Sequence, residues 1–288
     1  MAPQSTAVRG GVVALAVHKP RGHASERIGA GDGTDLRDAM GRPSVYGLVP
    51  RDLRRPSLTA VGRLDVETSG LILFTDSAGL SAAIRGGRRV QKAYVATVSG
   101  AGLSDGDLAR AAESMRAPLS RTDRPEEGEQ DGYAWTSPAK VRVTRRWRLQ
   151  GDDGTEDGAE RSPGAPFVDH PSALRAWREA RRVALGIDER GEAAMDGGAG
   201  GMVADFDIML REGRYHHVRR LVKRAGLRMR HLRRVAIGPV SLGGIEVPGQ
   251  ARVLSEAELG RLLLEAGEEG GGAKDAPAGC SWPDLSPT

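Results

Sequence analysis

Residues 61–80 read VGRLDVETSGLILFTDSAGL. Within them Gly70–Thr75 is a short apolar run bounded by polar turn residues, the pattern of a buried strand. Thr59–Leu64 reads as another strand, and Asp65–Ser69 as the polar turn between the two. Asp76–Ile84 suits a helix with an acidic start. If the chain is still extended where the turn begins, Arg63 and Asp65 point to one face. Turn chemistry alone accounts for an exposed Asp at such a place. Read locally, the residue is either a plain turn Asp or a functional carboxylate, and the plain reading leads.

Working outward, Gly11–His18 reads as a Val-rich strand, ended by the turn Lys19-Pro20-Arg21-Gly22. Loop follows over 23–33, and a short helix is expected at Asp35–Met40. Val90–Val98 is a strand, and Ser104–Met115 a helix with Ser104 or Asp107 near its cap. Residues 118–134 read as a long loop. Ala139–Trp147 is a strand with Val141 and Val143 on one face. Met202–Leu210 and Met229–Ile237 are strands. Tyr215–Ala225 is an amphipathic helix closed by Gly226, its Val218, Leu221, Val222 and Ala225 spaced i, i+3, i+4, i+7. Ser255-x-x-Glu258 is a capping box for a final helix. Strands and helices mix without regular alternation and without an internal repeat, so the fold class is α+β.

The segment 151–201 stands apart. It opens with GDDGTEDGAE, ends in glycines, and carries eleven acids against six bases over 151–200. It reads as an acidic, Gly-rich insertion with one helix at its centre, Pro171–Leu185. The tail 267–288 is expected to be disordered.

Composition excludes several classes. The 288 residues contain one cysteine, Cys280. A disulfide framework, a zinc ribbon and a four-cysteine iron–sulfur site are therefore out, and a reducing compartment fits. No apolar stretch is long enough to cross a bilayer, and GVVALAV near the start is too short for that. A cytoplasmic location is expected, an organellar one remaining open if the N-terminus is incomplete. Net charge is only +4, but its distribution is uneven: Arg211–Arg234 holds ten Lys/Arg and one acid, Glu212. A one-signed cluster of that density points to a polyanion, nucleic acid first.

Three constellations stand out. Asp65 is one. The basic helix and strand EGRYHHVRRLVKRAG–LRMRHLRR are the second, either a solvated face or a nucleic-acid surface. The third is VQKAYVATV, where Lys92 and Tyr94 share a sheet face; a strand Tyr is ordinarily core, yet aromatics make up 4% of the chain, and one beside a Lys is a candidate base-stacking surface. His216-His217 lack the i, i+4 spacing of a helical metal pair. Neither a P-loop nor a Gly-x-Ser-x-Gly elbow is present. Neither a metal nor a nucleotide cofactor is indicated.

Taken in order, these segments resemble one family: the pseudouridine synthases that include RsuA, RluB, RluE and RluF and act on ribosomal RNA. VHKPRG resembles the opening NKPxG motif. VGRLDVETSGLILFTDSAGL resembles the GRLDxxTxGLLLLTNDG motif, the most specific of the set. QKAYVATVSG resembles the KxYxV strand, and EGRYHHVRRLVKRAG with LRRVAIGPVSLGGIEVPG and LSEAEL resembles the C-terminal motif and closing helix. The likeness covers about 12–148 and 202–265.

The resemblance implies a pseudouridine synthase fold: a mixed, mainly antiparallel sheet with flanking helices and a central RNA-binding cleft. It implies one catalytic domain, 12–265, interrupted by the 151–201 insertion. Asp65 matches the catalytic Asp, and Tyr94 the residue that stacks on the target uracil and assists proton movement. Arg219 matches the Arg that pairs with the catalytic carboxylate, and Val218 the aliphatic residue near the base. Arg63 is expected to hold the RNA or the flipped nucleotide. Lys19 and Lys92 are structural or RNA-facing, and Arg214 and Arg220 join the RNA-binding set. The partner is RNA, ribosomal or pre-ribosomal. A monomer needing neither membrane nor metal is expected. The reaction moves a glycosidic bond from nitrogen to C5 of one base without redox or hydrolysis, so no cofactor is required. An ionised Asp is needed, and a neighbouring Arg favours the charged form that burial disfavours.

Departures are informative. Only 18 residues precede Lys19, too few for the N-terminal S4 domain many members carry; that is an RluE-like arrangement and tilts the expected target to large-subunit RNA. His217 stands where the family often has Gln. The rival readings are a non-catalytic RNA-binding or ribosome-assembly protein on the same scaffold, and a general basic RNA chaperone.

Overall fold

A computed structural model describes residues 13–26, 38, 40–86, 89–100, 103–119, 136–148 and 202–267. The insertion 151–201 and the tail from 268 lie outside the described residues. The helix expected over 35–40 and the loop over 118–134 lie largely outside them.

In chain order the elements are β1 (Ala14–Lys19), β2 (Thr59–Ala60), β3 (Thr68–Thr75), α1 (Ala78–Gly86), β4 (Lys92–Gly100), α2 (Asp105–Arg116), β5 (Lys140–Arg148), β6 (Met202–Leu210), α3 (His217–Arg224), β7 (Arg228–Ile237), β8 (Val240–Ser241), β9 (Ala251–Val253) and α4 (Glu256–Ala266), with 3-10 turns at Val45–Leu48 and Arg51–Leu53. The described residues fall into two compact units, the first made of those within 13–93, 211–213 and 233–267, the second of those within 94–210 and 214–232.

The first unit is built on β3. Its strands run in the order β7-β3-β1-β9, with β2 beside β3 and β8 beside β7. β1 pairs with β3 and with β9 antiparallel, Val17 facing Ile72 and Ala251. All eight residues of β3 are buried, which is why its central Leu71, Ile72, Leu73 and Phe74 run apolar rather than alternating. Leu71 and Leu73 join a core with Leu80 and Ile84 of α1 and Leu259 and Leu262 of α4. Ile72 and Phe74 point the other way, to Val45, Val49 and Leu58. With both faces filled, a one-residue slip would move each side chain into the wrong core, so the register is fixed. The polar turn at the start of β3 is fixed with it.

In the second unit β5, β6 and β4 lie side by side. β5 and β6 are antiparallel, Val141 opposite Ile208 and Val143 opposite Phe206, with a register shift between Val143 and Arg145. α2 packs on β5 and on α3, burying Leu108, Ala111, Ala112 and Met115. Ser104 is its N-cap, and Asp107 closes the capping box.

Among the boundaries that differ from those expected, three bear on the site. The strand read over Thr59–Leu64 pairs only at Thr59–Ala60; the chain turns away at Gly62, at φ +75, and Leu64 beyond it is held by a side chain, described below. β3 begins at Thr68, so Thr68 and Ser69 belong to the strand and the turn is shorter. α3 begins at His217 rather than Tyr215, since His216 is left-handed at φ 51, ψ 26 and the chain is not yet helical there. Gly226, at φ +74, ends α3 as expected: Leu227 N–H bonds Val222 O at 3.1 Å and Gly226 N–H bonds Lys223 O at 3.0 Å, a Schellman closure. Val141 and Val143 sit two residues apart, opposite Ile208 and Phe206, with Val141 buried and Val143 exposed. The α+β class and the largely antiparallel sheet are as the sequence implied; the one parallel pairing among those described is an isolated bridge, Ala24–Ser44.

Candidate active site

In the first unit Asp65 opens a tight turn: Thr68 N–H bonds Asp65 O at 2.9 Å. Two side chains from the chain's beginning hold this turn from its main-chain side. Ser25 Oγ donates to Leu64 O at 2.7 Å and accepts from Leu64 N–H at 3.0 Å, which takes Leu64 out of any sheet. Lys19, at the end of β1, is fully buried. Its Nζ donates to the carbonyls of Pro20 (3.1 Å), Asp65 (3.1 Å), Val66 (3.2 Å) and Thr68 (2.7 Å). The Gly22 N–H adds a bond to Val66 O at 2.9 Å. The carbonyls of the turn thus face a buried ammonium, while the Asp65 residue stays half-buried.

Burial pushes the Lys19 amine down to about 7, against the pull of the Asp65 and Glu67 charges, which raise it; Arg234 and Arg21 lower it further. A residue held this way acts on the turn through its backbone, not as a solvent-facing cation. Arg63 lies on the outer side, paired with Glu26 at 2.9 Å with both side chains mostly in water, a contact of little energy. Arg63 and Asp65 do not share a sheet face as an extended chain would give, because residues 63–65 are in no strand.

β3 leaves the turn through Gly70, at φ +108. A Cβ there would stand 2.1 Å from Arg234 O and 2.7 Å from Arg234 N, so only glycine allows β7 this close. Arg234 is itself buried, and its Nε donates to Leu71 O at 2.7 Å. Lys92 is buried too, with Nζ donating to Ile84 O at 3.1 Å and Val90 O at 3.4 Å. Its charge sits at the C-terminal end of α1, where helix carbonyls lack partners. Burial pushes it down to about 8, with Arg234 adding to the shift.

In the second unit Tyr94 is buried in β4, and Val218 is buried with Leu221 and Val222 on one face of α3. Arg219 and Arg220 are half-buried in the first turn of that helix, and Arg214 is half-buried ahead of it. Arg224, at its far end, turns to α2. Its guanidinium donates to Ser114 O (2.5 Å), Ala117 O (2.6 Å) and Pro118 O (2.7 Å), the carbonyls at and beyond the end of α2.

Residues 13–224 match the family described as RNA pseudouridylate synthase. The chain belongs to that family. This pseudouridine synthase is 29% identical over 258 residues to an uncharacterized RNA pseudouridine synthase of Mycobacterium bovis, covering 89% of the chain and 71% of the relative. Over 87 residues it is 39% identical to ribosomal large subunit pseudouridine synthase B of Yersinia pestis, which is 30% of the chain and 24% of that protein. A crystal structure of a pseudouridylate synthase shares the fold, with a TM-score of 0.50 at 21% identity over 87% of the chain and 74% of the other. The RsuA/RluB resemblance read from the motifs stands, and the protein is an isomerase that acts on RNA.

Three residues of this synthase escaped the sequence reading. Ser25 acts on a residue 39 positions away, and nothing local marks it. Arg224 and Arg234 were counted in a cationic surface, but one is tied to the end of α2 and the other is buried. Arg234 had a signal: Leu232, Arg234 and Ala236 alternate, and all three are buried.

Proposed function

We propose that this synthase isomerises one specific uridine of ribosomal RNA, in the large subunit, using Asp65 and no cofactor. The observation that carries the reading is the construction around Asp65. Lys19 and Ser25 hold the main chain of residues 64–68 through five hydrogen bonds, to Leu64 N and O and to the carbonyls of Asp65, Val66 and Thr68. A plain surface turn does not need a buried ammonium to fix it. The motif that supplies Asp65 also lies in the region matching the family. The partial likeness to a large-subunit enzyme supports the choice of RNA.

The chemistry suits the residue types. The N1–C1′ bond of the target breaks, the uracil turns, C5 bonds to C1′, the hydrogen on C5 leaves as a proton, and N1 takes up a proton in place of its lost bond. Electrons balance without an oxidant, and no water is consumed. Asp65 is the carboxylate that acts on the sugar or the base. Tyr94 is assigned to stacking on the uracil and to proton movement, Val218 to the base, and Arg219 to the charge of the carboxylate. Arg63, Arg214 and Arg220 are assigned to RNA. Lys19 and Lys92 serve as buried supports. Taking the uridine out of its stack costs a few kcal/mol, about what an aromatic stacking partner returns.

Ribosomal RNA transcripts with tritium at uridine C5 test this directly, since isomerisation releases the label to water. Wild type should release tritium from large-subunit RNA, and Asp65→Ala should bind the same RNA and release none. Release by Asp65→Ala would remove Asp65 from the mechanism. Release from small-subunit RNA alone would move the target.

A further inference from the structure

The entrance to α3 carries a feature that the isomerisation does not use. Arg214 O accepts from His217 N–H at 3.2 Å, and His216 O accepts from Arg220 N–H at 2.9 Å. Tyr215 and His216 sit in the tight turn between. Their rings stack, centroids 3.8 Å apart and planes 19° from parallel. His216 is the only non-glycine with positive φ among the described residues, a conformation that a side chain with a Cβ resists. The Arg220 guanidinium carbon lies 5.7 Å from the Tyr215 ring centroid, within cation–π reach. Yet Tyr215 is 47% exposed. The backbone strain does not bury the ring. Tyr215 stays in water beside a half-buried His216, inside the most cationic segment of the chain.

We infer that the stacked Tyr215–His216 pair is a platform for an unpaired base of the RNA substrate. The inference rests on the reading of the protein as an RNA-isomerising enzyme and adds a binding subsite to it. His216 covers one face of the Tyr215 ring and Arg220 lies over it, so a base joins this stack at its exposed side, in place of or beside the guanidinium, and neighbouring guanidinium groups suit the phosphates. Pre-stacking on His216 and fixing the turn from both sides leaves little ordering to be done on binding.

A single-stranded oligoribonucleotide carrying one 2-aminopurine reports the contact, because its fluorescence is quenched when the base stacks. Tyr215→Leu should raise Kd roughly ten-fold and reduce the quench, while Tyr215→Phe stays near wild type. The slope of log Kd against log salt should be the same in all three, since stacking releases no counterions. Unchanged binding in Tyr215→Leu, an equal loss in Tyr215→Phe, or a changed salt slope overturns the platform. If the Leu variant does not fold, His216→Gly decides: glycine accepts the left-handed turn, so the fold should hold while binding weakens, and full binding there overturns the proposal. Tritium release by the same wild-type preparation separates the two readings. Stacking without release would count against the isomerase assignment alone, and release with unchanged Leu binding against the platform alone.

Discussion

The Lys19 ammonium bonds the carbonyl oxygen of Asp65 at 3.1 Å, so the residue with the proposed catalytic carboxylate is held through its backbone by a buried cation. That arrangement separates positioning from chemistry. The turn is fixed through its main chain, and the cation that fixes it is buried and does not face solvent.

Lys19→Met keeps the bulk and removes the ammonium. Four carbonyls lose a shared donor, which should cost about 2–4 kcal/mol in urea unfolding. In the folded variant kcat should fall about 10- to 100-fold through misplacement of Asp65, with RNA binding retained. Unchanged kcat would mean that Ser25 and Gly22 position the turn alone. The sign of the pH effect is also fixed. Lys19 in the folded state is pushed from 10.5 to about 7, so between those values the unfolded chain binds more protons and the Lys19 contribution to stability rises with pH. The Met variant should lack that rise.

Gly70→Ala and Gly226→Ala form a contrast. Both glycines have positive φ, but a Cβ at 70 would strike the Arg234 backbone at 2.1 Å while one at 226 meets nothing within 4 Å. Gly226→Ala should cost about 1 kcal/mol, the conformational term alone. Gly70→Ala should cost more than about 3 kcal/mol or prevent folding, because β3 and β7 must part. Equal midpoints in urea would contradict the close approach.

His18 is buried, and its Nδ1 lies 2.9 Å from Ile245 O. The carbonyl can only accept, so the proton is on Nδ1 in the neutral ring. Burial pushes His18 from 6.5 down to about 4, the Ile245 bond working against that and Arg233 with it. As pH falls from 6.5 toward 4 the unfolded chain takes up a proton that the folded one refuses, and about 3 kcal/mol of stability is lost. His18→Asn, whose amide can reach the same carbonyl, should flatten that acid limb in a pH series of melts. An unchanged limb would place the acid sensitivity elsewhere.

Arg224 and Lys223 are neighbours with different expected roles. Arg224→Leu removes three bonds to the end of α2 and should destabilise the protein by about 2–4 kcal/mol, leaving the salt dependence of RNA binding as it was. Lys223 is exposed, and Lys223→Ala should leave the melt alone and lower the salt slope by about 1. The reverse result would put Arg224 on the RNA.

The sequence by itself determined what local chemistry can report. Leu71, Ile72, Leu73 and Phe74 are apolar without alternation, and that run marks a strand covered on both faces. Ser104 and Ser255 announce their helices because a cap bonds its own N3 residue. Val218, Leu221 and Val222 mark the buried face of α3. Segment order along the chain was enough to place Asp65 in a family motif. Tertiary structure decided which polar groups meet. Ser25 holds Leu64 from 39 residues away, Lys19 grips a turn up to 49 residues away, and Arg234 reaches Leu71 across 163. None of these leaves a periodic trace, because apolar burial repeats along a segment whereas a buried cation's choice of carbonyl depends only on which strands are brought side by side.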